Sequence, residues 1–234
     1  MVRAAAVLAL LAALAAYYAV AEELPGFSDW GDVAFLALVL IPAAFLLVWL
    51  ALPARDAGPR PLAAAAVALG VATALLDVVG LEVAANFTKM AAVIAAGWWF
   101  LAFFESVAWV LLVAVLIIPV DIVSVFRGPT KVIVEQQPEV FSALSIAFPT
   151  PGDPSSAQLG LPDVLFFSLF LGAAARFGLR VVPTWLAMTL SFGATLALAV
   201  SWEEAGLPAL PLLSASFALV NADLLWRELR AKRG

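Results

Sequence analysis

Long apolar stretches alternate with short polar ones along most of the chain. Runs rich in Ala, Leu and Val are long enough to cross a hydrocarbon layer of about 30 Å as helices that rise about 1.5 Å per residue. The run 88–126 is too long for one crossing, so we divide it at Phe104-Glu105-Ser106. The predicted helices lie at about 1–21, 33–52, 62–80, 88–103, 107–126, 162–179, 182–200 and 207–226. The pattern therefore predicts an all-α, polytopic transmembrane helix bundle of about eight spans.

One long polar connection, residues 127–158, interrupts this pattern. It is rich in Pro, and its β-branched segment Lys131–Glu135 could form a short strand. We predict a single membrane domain, 1–234, with N-terminal helices in 1–126, a polar loop in 127–158 and three C-terminal helices in 159–234.

The first apolar run admits two interpretations. Ala19-Val20-Ala21 resembles the cleavage site of a signal peptide. We expect a retained helix instead, because the apolar run is long for the core of a signal peptide.

Composition narrows the chemistry that the chain can perform. Hydrophobic residues make up 65% of the sequence and charged residues 12%, which leaves too little polar surface for a soluble globule. The sequence contains no Cys and no His, which excludes thiol nucleophiles, Ser-His relays, and zinc sites built from Cys or His. If the protein performs hydrolysis, carboxylates are the leading candidates.

The distribution of Lys and Arg predicts the orientation in the membrane, because cations near helix ends favour the cytoplasm. Nine of the twelve fall on the side of the two termini: Arg3, Arg55, Arg60, Arg176, Arg180, Arg227, Arg230, Lys232 and Arg233. The other three are Lys89, Arg127 and Lys131. We therefore expect a multi-pass protein of the cell membrane with both termini in the cytoplasm.

Two carboxylates lie within the predicted membrane helices. Asp121 follows Ile118-Pro119-Val120 near the end of one helix, and Asp163 follows Leu161-Pro162 at the start of the next. A charge in the hydrocarbon costs a few kcal/mol or more, so intramembrane acids tend to face a cavity and mark function. An antiparallel helix pair would place both carboxyls at similar depth, as an acid–base dyad requires. Spacing alone equally allows a proton relay or a packing pair.

A third element is the Pro-rich start of the last predicted helix, Leu207-Pro208-Ala209-Leu210-Pro211. Two prolines three residues apart prevent a regular first turn. Irregular backbone at membrane depth is tolerated where it is buried in protein or lines a wet cavity. On this motif alone, an ordinary Pro-rich helix start is the favoured interpretation.

Together the three elements resemble the presenilin and signal peptide peptidase family of intramembrane aspartyl proteases, in motif and in order. That family carries a Tyr-Asp pair, then Gly-x-Gly-Asp, then Pro-Ala-Leu. The corresponding segments here are Val120-Asp121, Gly160-Leu161-Pro162-Asp163 and Pro208-Ala209-Leu210. Val120 replaces the family's Tyr, and Pro162 replaces its second Gly. The resemblance covers roughly residues 109–217, and the family norm is nine spans.

The resemblance implies an intramembrane aspartyl endopeptidase that cleaves peptide bonds in transmembrane segments or signal peptides. Asp121 and Asp163 would be catalytic. The residues expected to shape substrate binding are Gly160, Leu161, Pro162, Pro208, Ala209 and Leu210. No cofactor or metal is implied, and the expected partners are transmembrane-helix peptides and the lipid bilayer, with no nucleic acid. The alternative is a membrane protein without enzymatic activity, either a proton- or cation-coupled transporter or a catalytically silent binder of helices.

Overall fold

A computed structural model describes residues 2–128, 136–154, 156–202 and 206–231. The helices of the N-terminal part are α1 (Val2–Val20), α2 (Asp29–Phe35), α3 (Ile41–Ala51), α4 (Pro59–Val78), α5 (Glu82–Leu101) and α6 (Val107–Arg127). The elements that follow are α7 (Pro138–Ala143), β1 (Ser145–Pro149), β2 (Ser156–Gly160), α8 (Leu161–Arg176), α9 (Val181–Trp202), α10 (Leu210–Val220) and α11 (Ala222–Ala231). The protein is thus mostly helical, as predicted, and its described residues include one small β-hairpin that the all-α prediction did not contain.

The second predicted helix begins four residues earlier than expected and contains a wide turn. Ser28 starts it, because its Oγ accepts a hydrogen bond from the amide of Gly31 at 3.3 Å, as an N-cap does. A π-helical turn at Leu36–Leu40 then joins α2 to α3 without a break. At this turn α9 comes close, since a Cβ on Gly193 would lie 2.7 Å from Cβ of Ala37.

Within the described residues, five helices are long and apolar enough to cross a membrane: Val2–Glu23, Asp29–Ala57, Pro59–Val78, Val107–Arg127 and Val181–Trp202. The predicted count of eight spans is therefore not confirmed. Helix α8 has 16 residues and α10 has 11, so both fall short of a full crossing. Helix α5 has 20 residues but carries Glu82 and Lys89 in its first half.

The described part of the region between α6 and α8 has more secondary structure than the predicted polar loop. It contains α7 and an antiparallel hairpin in which Ser145 pairs with Gly160 and Pro149 with Ser156. Gly152, in the turn, has a φ of 72°, a conformation that Gly adopts at no steric cost. The possible strand at Lys131–Glu135 lies outside the described residues.

The last predicted helix, 207–226, is two helices instead of one. Its first three residues are not helical, and α10 ends at Asn221 before α11 begins. The buried Asn221 side chain donates to Thr184 Oγ1 at 2.8 Å and accepts from the amide of Arg180 at 3.0 Å. These bonds hold the break against the start of α9.

Arg180, in the turn between α8 and α9, also binds the amphipathic helix α11. Its guanidinium donates to both carboxylate oxygens of Asp223, at 2.7 and 2.9 Å. These hydrogen bonds hold the pKa of Asp223 below its ordinary value. The contact is exposed, so its contribution to stability is small.

Helix α8 is the centre of the bundle. Every residue from Phe167 to Ala174 is buried, as expected of a helix that is apolar all round. On one side, Phe167 packs against Phe45 of α3, with ring centroids 4.1 Å apart. On another, Phe170 stacks on Phe217 of α10 at 4.8 Å. Asp163 therefore lies in the first turn of the most enclosed helix in the protein.

Candidate active site

A cavity of about 470 Å³ lies at the start of α8, between α6, α9, β2 and the chain that leads into α10. Its walls are largely apolar and include Ile41, Phe148, Phe192 and Leu196. Asp121 and Asp163 both line it. An apolar cavity with a few convergent polar groups is the usual form of a small-molecule or peptide site.

Asp121 belongs to the last two turns of α6. Pro119, inside the helix, lacks an amide and so disturbs the regular bonding of the turn just before it. The Asp121 side chain reaches across to the last part of the bundle, where its Oδ2 accepts a hydrogen bond from the amide of Leu210 at 3.1 Å. This bond ties the first aspartate to the Pro-Ala-Leu segment.

The Pro-Ala-Leu segment leaves few amides free to bind a carboxylate. Pro208 and Pro211 carry no N–H, Ala209 is not helical, and Leu210 is the first residue of α10. The first amides of a helix have no partner within it, and the helix dipole favours a negative charge there. The Leu210 amide, bonded to Asp121, is thus satisfied from another helix.

Asp163 is the third residue of α8, and Gly160 is the N-cap of that helix. The carboxylate folds back over Gly160, the position that the third residue of a capping box occupies relative to its N-cap. A Cβ on Gly160 would lie 3.1 Å from Oδ2 of Asp163, so a larger residue would crowd the carboxylate. The helix begins at Leu161, one residue before Pro162, at which the sequence predicted it. Leu161 is thus helical although it precedes a proline, and Gly160 is the extended N-cap.

Six of the eight residues that the sequence singled out line the cavity: Asp121, Asp163, Gly160, Pro162, Pro208 and Ala209. Leu161 does not line it, and its amide bonds to the carbonyl of Leu144 at 3.0 Å. Leu210 contributes its backbone amide only, because its side chain is buried in the core.

Strand β2 supplies a wall that the sequence analysis did not identify. All five of its residues line the cavity. The available signal was the alternation of polar Ser156 and Gln158 with apolar Ala157 and Leu159, directly after a Pro-Gly turn. Thr195 of α9 also lines the cavity and was likewise missed.

The register of the hairpin determines which backbone groups of β2 point into the cavity. The amide of Ala147, in β1, donates to Asn86 Oδ1 at 2.9 Å, and its carbonyl accepts from Asn86 Nδ2 at 3.0 Å. Both groups therefore point to the side away from β2. Its partner Gln158 is therefore in a pair that exchanges no ladder bonds, and such pairs direct their N–H and C=O outward. The Gln158 backbone consequently points away from β1, along the edge that lines the cavity.

Both carboxyls line the same cavity, one from α6 and one from α8. Within the described ranges, no group of three or more acidic side chains could hold a metal ion. A pair of carboxyls that share a proton can act as base and acid toward one water and one carbonyl.

Comparison of the sequence with protein-family models and with curated proteins finds no match.

Proposed function

We propose that this protein is an intramembrane aspartyl endopeptidase, with Asp121 and Asp163 as its catalytic dyad. The observation that carries the proposal is that two carboxylates from different helices of an apolar bundle line one cavity together with the Pro-Ala-Leu segment. A packing pair would not need a cavity. A relay for protons or cations would not need a strand edge and an irregular helix start beside the acids.

Hydrolysis by such a pair needs one ionised and one protonated carboxyl. The ionised carboxylate takes a proton from water as the water oxygen attacks the amide carbon, while the protonated carboxyl gives its proton to the carbonyl oxygen. The product is an uncharged gem-diol. Its collapse breaks the C–N bond, returns a proton to the leaving nitrogen and regenerates the shared-proton pair.

The substrate must be extended at the dyad, because the amides of a helix are bonded within the helix. The outward N–H and C=O of Gln158 offer one partner for an extended segment, by the addition of a strand to a sheet edge. Gly160, at the end of the same edge, lies against Asp163. A strand added along β2 would therefore be guided toward the carboxylates.

Cleavage of a synthetic transmembrane peptide by the purified protein tests the proposal. We expect products with ends inside the apolar segment, and we expect hydroxyl-containing transition-state mimics to block their formation, because the hydroxyl occupies the place of the gem-diol. Mass spectrometry identifies the cut bonds. Absence of products from several unrelated transmembrane peptides, with folded protein in a lipid bilayer, would count against the assignment.

The proposed location is the cell membrane, with both termini in the cytoplasm. The Arg180–Asp223 pair supports this orientation, because it joins one cation-rich turn to the cation-rich C-terminal helix. Lys89, from the smaller group of cations, instead donates to the carbonyls of Ser142 and Ser145 near the hairpin, at 3.0 and 3.1 Å.

Single-cysteine labelling checks the orientation, since the chain has no Cys of its own. With Pro154→Cys, in the exposed hairpin turn, we expect an impermeant thiol reagent to react from outside intact cells. A reporter that is active only in the cytoplasm, fused after Gly234, should be active. Labelling that occurs only after lysis would reverse the orientation.

A further inference from the structure

Among the residues that the structure describes, no strand pairs with the outer edge of β1, and side chains from two helices bond to it instead. Tyr17 of α1 donates from its hydroxyl to the carbonyl of Pro149 at 2.8 Å, and Tyr18 donates to the carbonyl of Ala147 at 2.9 Å. Asn86 of α5 bonds to both the amide and the carbonyl of Ala147. The only two tyrosines in the sequence therefore bind neighbouring parts of one strand.

These three side chains are themselves held in place. The Tyr17 ring contacts Phe35 with centroids 5.5 Å apart, and the Tyr18 ring contacts Phe87 at 5.1 Å. Asn86 is buried on α5. Their polar atoms consequently approach β1 from fixed positions on α1 and α5.

Neither α1 nor α5 contributes a residue to the cavity walls. Both helices nevertheless contact the cavity indirectly. They bond to β1, β1 pairs with β2 over five residues, and β2 forms one wall. Paired strands lie about 4.8 Å apart. Because their ladder bonds join them, side chains that hold β1 in place also hold the edge of β2 that lines the cavity.

We propose that Tyr17, Tyr18 and Asn86 are positioning residues that hold β1 and thereby set the place of the β2 edge relative to Asp121 and Asp163. This inference rests on the proposed function for its effect on cleavage. A second consequence follows for the hairpin itself: contacts from α1 and α5 occupy the edge of β1, so, of the two strand edges that the structure describes, the edge of β2 is the one available to an added segment, on the side of the carboxylates.

The alternative is that the three side chains only satisfy the backbone of an exposed strand edge, which is costly to leave unpaired in an apolar environment. That role predicts a loss of folded protein on mutation and nothing more. Positioning predicts a change in which bond is cut, because a hairpin that shifts relative to the dyad presents other substrate bonds to it.

Two variants separate these roles. Tyr17→Phe/Tyr18→Phe keeps both rings and removes both hydroxyls, and Asn86→Leu keeps the volume and removes both amide contacts. Thr88→Val is the matched control, because Thr88 lies on α5 near Asn86 but bonds to Thr73 and to its own helix. For each variant we would measure cleavage products of one transmembrane peptide and the distance between spin labels at Pro154→Cys and Ser201→Cys.

We expect the parent and Thr88→Val to show one narrow label distance and one main cleavage position. We call the contacts of Tyr17, Tyr18 and Asn86 with β1 the clamp. Both clamp variants should lose the single narrow distance and gain products from neighbouring bonds, with cleavage at the original bond reduced about fivefold, as for the loss of one or two hydrogen bonds. An unchanged distance would overturn the clamp, whatever the activity. A broadened distance with unchanged product ratios would overturn its positioning role. A parent that cleaves nothing would refute the proposed function, while the distance measurement would still decide whether the clamp holds the hairpin.

Discussion

Replacement of Asp121 or Asp163 by Asn is expected to reduce peptide cleavage about 10⁴-fold, to background. Asn has nearly the size of Asp but cannot take a proton from water or give one to a carbonyl oxygen. In Asp121→Asn, the amide oxygen can still accept the hydrogen bond from Leu210, so the contact between α6 and α10 should persist. Product formation by mass spectrometry and thermal unfolding in detergent would be measured for both variants.

Asp77→Asn is the matched control for this experiment. Asp77 lies at the exposed end of α4 and does not line the cavity, so we expect parental cleavage. The dyad assignment is wrong if either active-site variant cleaves as fast as this control. Loss of cleavage together with loss of the folded bundle would instead indicate that the carboxyls are structural.

Gly97→Val is expected to be the most destabilising substitution outside the cavity. Gly97 lies where α5 packs against α8: a Cβ there would overlap with Ser168 Oγ and would lie 2.7 Å from the carbonyl oxygen of Leu165. The hydroxyl could rotate away, but the backbone oxygen can move only with α8. Overpacking of this kind typically costs about 1–3 kcal/mol, and we expect the upper end of that range.

The shift of α8 should also reduce cleavage, because Asp163 is two residues from the displaced Leu165. Gly70→Ala is the control for this substitution. Gly70 lies within α4, and a Cβ there would meet no atom within 4 Å, so Ala should stabilise the helix by about 0.5–1 kcal/mol. Thermal unfolding in detergent gives both values. If Gly97→Val were as stable as Gly70→Ala, the close packing of α5 on α8 would be incorrect.

The long helices could be predicted from sequence because membrane-length apolar runs leave few alternatives. The start of α6 at Val107 is confirmed, and the division near Glu105 coincides with the turn between α5 and α6. Asp121 of α6 and Asp163 of α8 both line one cavity, and the sequence had already placed both acids near helix ends on either side of the polar connection. Local sequence and helix length were sufficient for these features.

The hairpin and its clamp could not be predicted in the same way. The polar residues of 145–160 indicate a loop by composition, and only pairing between two short strands makes them a sheet. The contacts of Tyr17 with Pro149 and of Asn86 with Ala147 join residues 132 and 61 positions apart. The break at Asn221 was missed for a similar reason, since its side chain is held by Thr184, 37 residues away.

The brevity of α10 limits the distance between the Leu210 amide and the other end of that helix. Eleven residues rise about 17 Å, close to half of a hydrocarbon layer of about 30 Å. If the amphipathic α11 lies along the membrane surface, the amide of Leu210, and Asp121 with it, is held near the middle of the bilayer. The site would then stand at a fixed distance from one leaflet's surface, while the thickness of the lipid sets its distance from the other. With the proposed function, hydrophobic mismatch, which shifts a transmembrane helix along the membrane normal, would then select the bond that reaches the carboxylates.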